Sequence, residues 1–272
     1  MEPMDLHTHS NMSDGTCTPS LLVEKAKAAG LGIVALTDHD CIQGIPEAME
    51  AGERLGIRVI PGLELDTEFH TELHMLGLGV DPQHPALQEF AARNAQRRQA
   101  RNEAILNQLA AAGVDVRPFF PAQHGTPTRL HVALALVAGG FAPTIGEAFR
   151  NYLFRGTPGY VETKRILPED AIALIHQAGG LAVLAHPCKV KADVAALVAR
   201  LHPAGLDGLE AFYPTATPGQ RDTYISMARQ YGMLLTCGSD FHGDNRPDNR
   251  LGCTWQQSPL LEPVYTWLLQ RS

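Results

Sequence analysis

The chain has 272 residues, 44% of them hydrophobic, enough for one large domain or one domain carrying an insert. Its 22 Lys and Arg against 29 Asp and Glu leave a net charge of −7, which argues against a general nucleic-acid-binding surface. No apolar run approaches the ~20 residues of a membrane span and no leader pattern is read, while five scattered cysteines (Cys17, Cys41, Cys188, Cys237, Cys253) without a C-x-x-C spacing suggest free thiols; a cytoplasmic protein with no membrane attachment and no obligate protein partner is expected.

Taken in order, Met4 to Gly15 opens with alternation: Leu6 and Thr8 interleave with Asp5, His7 and His9. A strand points every second side chain to one face, so His7 and His9 would face together and could hold one metal ion. Asp14 comes just before Gly15, where the chain is expected to turn and bring the carboxylate back. The plainer alternative for this short stretch alone is a strand with two surface histidines. Thr18 and Pro19 then start a helix that Gly30 stops. Residues 33–36 form a β-type run ending in Thr37-Asp38-His39-Asp40. A helix spans 46–55, a strand 58–64 with Glu64 at its end, and a further strand 73–80 with His74 in its middle. Strands covered on both sides by helices suit a parallel α/β sheet or barrel.

From Pro85 the pattern changes. A long helical stretch reaches residue 112, Pro118, Pro121 and Pro127 follow, and helices are expected over 130–138 and 145–152; no strand is convincing, so 85–158 reads as a helical insertion domain. Arg93, Arg97, Arg98 and Arg101 are read chiefly as a solvated helix face, with polynucleotide attraction as the alternative. The alternation resumes with helices at 168–178, 194–201, 220–231 and 260–269, and strands at 181–186, 208–211 and 233–237. Residues 1–84 and 159–272 are therefore assigned to one discontinuous barrel domain. Nine side chains suited to metal binding fall at strand ends or just past them: His7, His9, Asp14, His39, Glu64, His74, His186, Asp240 and His242. In a (β/α) barrel such ends meet at one mouth.

Asp-Leu-His-Thr-His-Ser with Asp14-Gly15, Thr37-Asp38-His39-Asp40, Gly62-Leu63-Glu64, Ala185-His186-Pro187 and Gly238-Ser239-Asp240-Phe241-His242 together resemble the PHP (polymerase and histidinol phosphatase) family, over about 4–82 and 159–255. The insert after the fourth strand resembles the branch of nucleoside 3′,5′-bisphosphate phosphatases and 5′→3′ exoribonucleases. The resemblance implies a distorted (β/α)7 barrel, an α/β fold, with two or three divalent metals. By it, His7, His9, Glu64 and Asp240 hold one metal, Glu64 bridges to a second held by His74 and His186, and Asp14, His39 and His242 hold a third. Mixed imidazole and carboxylate ligands suit Mn²⁺, Fe²⁺ or Zn²⁺ better than Mg²⁺ or Ca²⁺. A metal-bridging hydroxide would then attack phosphorus.

The activity so implied is a phosphoric monoester hydrolase removing the 3′-phosphate of pAp-like nucleotides, with 5′-phosphorylated short RNA as a second substrate. The alternatives are a phosphatase for another small phosphomonoester such as histidinol phosphate, and a non-catalytic nucleotide- or metal-binding module. Asp40 is a candidate general acid. Arg129 and His131 match positions that contact substrate phosphate in the branch, an arginine fork being apt for that task. Lys164 is a further candidate, with Arg165 beside it. Lys189 is another: Cys188-Lys189 replaces the Gly-Arg of many relatives, keeping the charge but losing the bidentate fork.

Overall fold

A computed structural model describes residues 1–120, 125 and 128–270. Pro121 and Pro127 of the expected insert lie outside them. The chain divides into two compact units, Met1–Ala91 with Arg165–Ser272, and Ala92–Lys164.

The first unit is built on a seven-stranded sheet whose spatial order follows the sequence. The strands are β1 (Met4–Asp5), β2 (Ile33–Leu36), β3 (Arg58–Asp66), β4 (His74–Leu78), β5 (Leu181–Leu184), β6 (Gly208–Phe212) and β7 (Leu234–Cys237). The two ends of the sheet meet. Leu6 N–H donates to Cys237 O at 3.0 Å, Asp240 N–H to His7 O at 2.9 Å and His9 N–H to Phe241 O at 2.9 Å, so a parallel ladder closes the sheet into a near-complete barrel. β2, β5 and β6 are almost wholly apolar and buried along their lengths, as strands covered on both faces must be.

One strand departs from the parallel expectation. β4 is antiparallel to both β3 and β5. Only residues 67–73 separate β3 from β4, and a parallel return needs a crossover of about a dozen residues or more. The reversal corrects the placing of His74. It is the first residue of β4 and not mid-strand, and because β4 runs backwards that end lies on the rim where the parallel strands finish.

The helices of this unit are α1 (Pro19–Ala28), α2 (Ile45–Leu55), the start of α3 (Pro85–Ala111), α6 (Pro168–Gln177), α7 (Val194–Leu201), α8 (Pro218–Tyr231) and α9 (Glu262–Leu269). Thr18 caps α1 by accepting the Leu21 amide, with Pro19 at the first helical position. Thr217 and Gln220 form a capping box, which starts α8 two residues earlier than expected. Leu87, Phe90 and Ala91 of α3 pack into the barrel core, so the boundary falls after 91 and not at 85.

The second unit holds the rest of α3, then α4 (Arg129–Ala138) and α5 (Ile145–Ala148), around a core of Ile105, Leu109, Val132, Leu136 and Leu153. The arginine stripe of α3 is only half solvated. Arg93 and Arg97 are exposed, but Arg98, Arg101 and Asn102 are buried, on the face that continues into Ile105 and Leu109. Spacings of three and four residues place these five side chains on one side of the helix. All five cysteines are free. Among the described residues, no helix is long and apolar enough to cross a membrane.

Candidate metal centre

All nine side chains singled out in the sequence converge on the barrel rim. The extension of β1 carries His7 and His9, and the following turn carries Asp14. His39 follows β2, Glu64 lies within β3, His74 starts β4, His186 follows β5, and Asp240 and His242 follow β7. His7, His9 and His242 have no exposed surface, which removes the reading of two surface histidines.

The Glu64 carboxylate sits at the middle. Its Oε1 is 2.8 Å from His74 Nδ1 and 2.9 Å from His186 Nε2. Its Oε2 lies 3.3 Å from His7 Nε2 and 3.2 Å from both His9 Nε2 and His39 Nδ1. The five rings run in a closed circuit, His9–His7–His186–His74–His39, with neighbouring centroids 4.8–5.7 Å apart, and His242 stacks on His9 at 4.1 Å.

Four overlapping groups of ligand atoms result: His9, Asp14, His39 and His242; His7, His9 and Asp240; His7, Glu64 and His186; His39, Glu64 and His74. The expected partition put His74 with His186. The structure brings both rings to the same oxygen of Glu64, Oε1, at 2.8 and 2.9 Å, with their centroids 5.1 Å apart, while His7, His9 and His39 face Oε2.

The donor set fits divalent cations. Atoms about 2.1 Å from one ion stand roughly 3.0–3.4 Å from each other in octahedral or tetrahedral arrangement. His7 Nε2 and His9 Nε2 are 3.1 Å apart, and both lie 3.5–3.6 Å from Asp240 Oδ1. Two imidazole nitrogens facing each other need a proton or a cation between their lone pairs. The buried His186 Nδ1 makes no hydrogen bond, and His242 Nε2 lies 3.2 Å from Asp14 Oδ1.

Electrostatics divide the histidines. Burial alone would disfavour protonating His7, but the charges of Glu210, Glu64 and Asp240 outweigh it and raise its pKa well above the ordinary value. Burial is likewise outweighed at His74 by Glu64 and Asp66, with the same result. Burial and the neighbouring His242 lower His9 to about 3, and burial lowers His186. Glu64, Asp14 and Asp240 remain ionised despite burial, because imidazoles surround them.

Residues the sequence reading assigned no role hold this cluster in place. Glu210, fully buried in β6, binds His7 Nδ1 at 2.9 Å through Oε1 and accepts the His186 amide at 2.7 Å through Oε2. With its Nδ1 proton committed to a carboxylate, His7 turns the Nε2 lone pair towards the centre. Gly238 makes room for this pair: a Cβ there would fall 2.3 Å from both His7 Cβ and Glu210 Oε1. Asp38 accepts the Ser10 amide and hydroxyl and the Ser13 hydroxyl at 2.6–2.8 Å, fixing the loop after His9. Asp66 faces His74 Nε2 at 3.0 Å and is itself held by Arg165 at 3.2 Å. A lone glutamate inside an apolar strand, Gly-Leu-Glu-Ala-Phe, was the available signal for Glu210. Strain concentrates here too. Among the described residues three non-glycines have positive φ, Asp40 (49°), His186 (27°) and Asp240 (54°), and all three line the rim.

The PHP domain model matches residues 5–182. The chain belongs to the PHP domain family. It is 39% identical to a 5′-3′ exoribonuclease, Rnm, of Salmonella typhimurium, over 88% of this chain and 84% of that one. It is 33% identical to a 3′,5′-nucleoside bisphosphate phosphatase of Chromobacterium violaceum, over 100% and 98%. The solved structure of an amidohydrolase from Chromobacterium violaceum, with bound sulfate and no metal, superposes with a TM-score of 0.87 at 32% identity, covering 99% and 96%. As a PHP protein with this ligand cluster, the chain is a metal-dependent phosphoester hydrolase.

The remaining candidates have distinct surroundings. Asp40 is buried, its amide donates to Glu64 O at 2.9 Å and its Oδ1 accepts the Asp66 amide at 3.1 Å. Lys189 Nζ is 3.1 Å from Asp240 Oδ2 and lies over the Tyr213 ring. On the insert, Arg129 opens α4 and stacks over Phe149, His131 Nδ1 accepts the Thr128 amide at 3.0 Å as a helix cap, and Lys164 is exposed.

Two outcomes are expected from this geometry. Glu210→Gln keeps the size of the side chain but offers one acceptor where two donors converge, so cation affinity falls about 10–100-fold in a chelator-competition titration. Without a cation, the raised pKa values of His7 and His74 favour their protonated forms, which a cation must displace. Cation loading near pH 7 therefore releases protons and weakens as pH falls, which calorimetry in buffers of different ionisation enthalpy measures directly.

Proposed function

We propose that this chain removes the 3′-phosphate from nucleoside 3′,5′-bisphosphates of the pAp type and also cleaves 5′-phosphorylated short RNA. The single observation that carries the chemistry is the convergence of nine buried or nearly buried candidate ligands at one rim, five of them imidazoles set around the Glu64 carboxylate. The choice of substrate rests on the phosphatase that aligns with the whole chain, and the RNA arm on the exoribonuclease.

His7, His9, Asp14, His39, Glu64, His74, His186, Asp240 and His242 would hold the cations. When bound, cations of the Mn²⁺, Fe²⁺ or Zn²⁺ class supply Lewis acidity, bringing the pKa of water towards neutrality and offsetting charge on phosphoryl oxygens. The chain's own side chains do the rest. No protein nucleophile is required, and the Cys188 thiol, two residues after His186, is unsuited: burial pushes its pKa up, so it stays protonated. Asp40 donates the proton that the departing ribose 3′-oxygen needs. Its fixed backbone on the Glu64 side of the rim supports this role.

Side-by-side kcat/KM values with Mn²⁺ for pAp, a 5′-phosphorylated dinucleotide and histidinol phosphate test the assignment. pAp is expected to be turned over most efficiently, and dominant histidinol phosphate cleavage would defeat the proposal. Asp40→Asn tests the proton donor, since asparagine tolerates the positive φ and keeps the acceptor for Asp66. Turnover of pAp should fall about 10²–10⁴-fold, while p-nitrophenyl phosphate, whose leaving group needs no proton, should be cleaved almost as fast as by the wild type.

A further inference from the structure

The Asp240 carboxylate is used asymmetrically. Oδ1 faces the centre, beside His7, His9 and His242. Oδ2 faces the rim and takes three donors: the Tyr213 hydroxyl at 2.6 Å, Lys189 Nζ at 3.1 Å, and Arg246 Nη1. Two full positive charges and a hydroxyl therefore compete for one oxygen. Tyr213 is buried, whereas the Lys189 and Arg246 side chains are about a third exposed, at 31% and 36%. Among the described residues, Asp240 is the one hydrogen-bond partner of either side-chain cation, so most of their N–H groups remain available.

Arg246 is held on a firm support. Its amide donates to Gly243 O at 3.2 Å. Asn245 Nδ2 donates to Asp14 O at 2.8 Å, Asp244 N–H to Thr16 Oγ1 at 3.0 Å, and Asn249 Nδ2 to Asp240 O at 3.0 Å. The segment carrying the guanidinium is thus tied to two of the turns that deliver ligands. A side chain present only as a counterion for Asp240 needs no second cation beside it.

From this juxtaposition we infer that Arg246, with Lys189, forms an anion clamp that grips the phosphoryl group undergoing cleavage. The inference rests on the phosphoester hydrolase reading and deepens it. When Asp240 serves a divalent cation, its single negative charge is committed there, and Lys189 and Arg246 are left facing the rim in excess. A phosphoryl group seated on the centre brings oxygens to that side, and the planar guanidinium can bind two of them side by side while the ammonium binds as a point charge. Arg246 supplies the fork that lysine at 189 lacks.

The test uses the metal-replete enzyme and inorganic phosphate, the product any phosphomonoester would leave. For wild type, Arg246→Ala, Arg246→Lys and Lys189→Ala, one measures inhibition by phosphate, metal content by elemental analysis, and kcat/KM on pAp and p-nitrophenyl phosphate. Arg246→Ala is expected to weaken phosphate inhibition at least about 10-fold with metal content retained, and to lower kcat/KM on both substrates by the same factor, since both share the group gripped. Arg246→Lys should fall between wild type and Arg246→Ala, and should that alanine variant fail to fold, a lysine variant with wild-type phosphate inhibition would overturn the fork. Unchanged phosphate inhibition in Arg246→Ala would sink the clamp, as would loss of metal with normal phosphate affinity per loaded site, which would make Arg246 a positioning residue for Asp240. Failure of the wild-type enzyme to hydrolyse any phosphoester would instead strike the functional reading beneath it.

Discussion

The structure is arranged around one costly act, the burial of an ionised carboxylate within reach of five imidazoles. Glu64 has about 1% of its surface exposed. An isolated carboxylate so placed would take up a proton, but the surrounding rings hold its pKa well below the usual range. The rings crowd one another as much as they serve Glu64, with two nitrogens 3.1 Å apart and the buried His186 Nδ1 lacking a hydrogen bond. Hydrogen bonding alone cannot satisfy this collection, and cations can. Stability at the rim has been exchanged for a donor set of defined charge and shape, as metal sites require.

The barrel exists in its distorted form because of that rim. Reversing β4 brings His74 to the same edge as the ends of the parallel strands, and the β1–β7 ladder brings His7 and His9 beside Asp240. The positive φ values at Asp40, His186 and Asp240 each carry a cost of order 1–3 kcal/mol, tolerated where hydrogen bonds over-determine the backbone. The His186 amide on Glu210 and the Asp240 amide on His7 O are such bonds.

Much of this was legible in the sequence, for definite reasons. His7 and His9 share a face because alternation is a property of extended chain, and the Thr18-Pro19 cap marks the start of α1. The nine candidate ligands stood out because the sequence puts them at or just past expected strand ends, although Glu64 lies within β3 and His74 opens β4. The reversal of β4 was not read, although the short span 67–73 already disfavoured a parallel return. The burial of Arg98 and Arg101 escaped because charge suggests solvent, and only the continuation of their face into Ile105 and Leu109 argues otherwise. Glu210, Tyr213 and Arg246 act through partners distant in sequence, and no local pattern encodes a contact between Glu210 and His7.

The closure between β1 and β7 also bears on how the protein comes to be made. Asp240 and His242 follow the last strand, while His7 and His9 accompany the first. During synthesis the N-terminal strands emerge early, yet they cannot form a finished coordination sphere until the seventh strand has left the ribosome and zipped against them. The nascent chain thus carries histidines that bind cations only weakly, and secure capture is deferred to the moment the barrel shuts. Selection among cations would then fall to a nearly complete fold, with its cavity already shaped, and not to a loose polypeptide open to the most avid ion available.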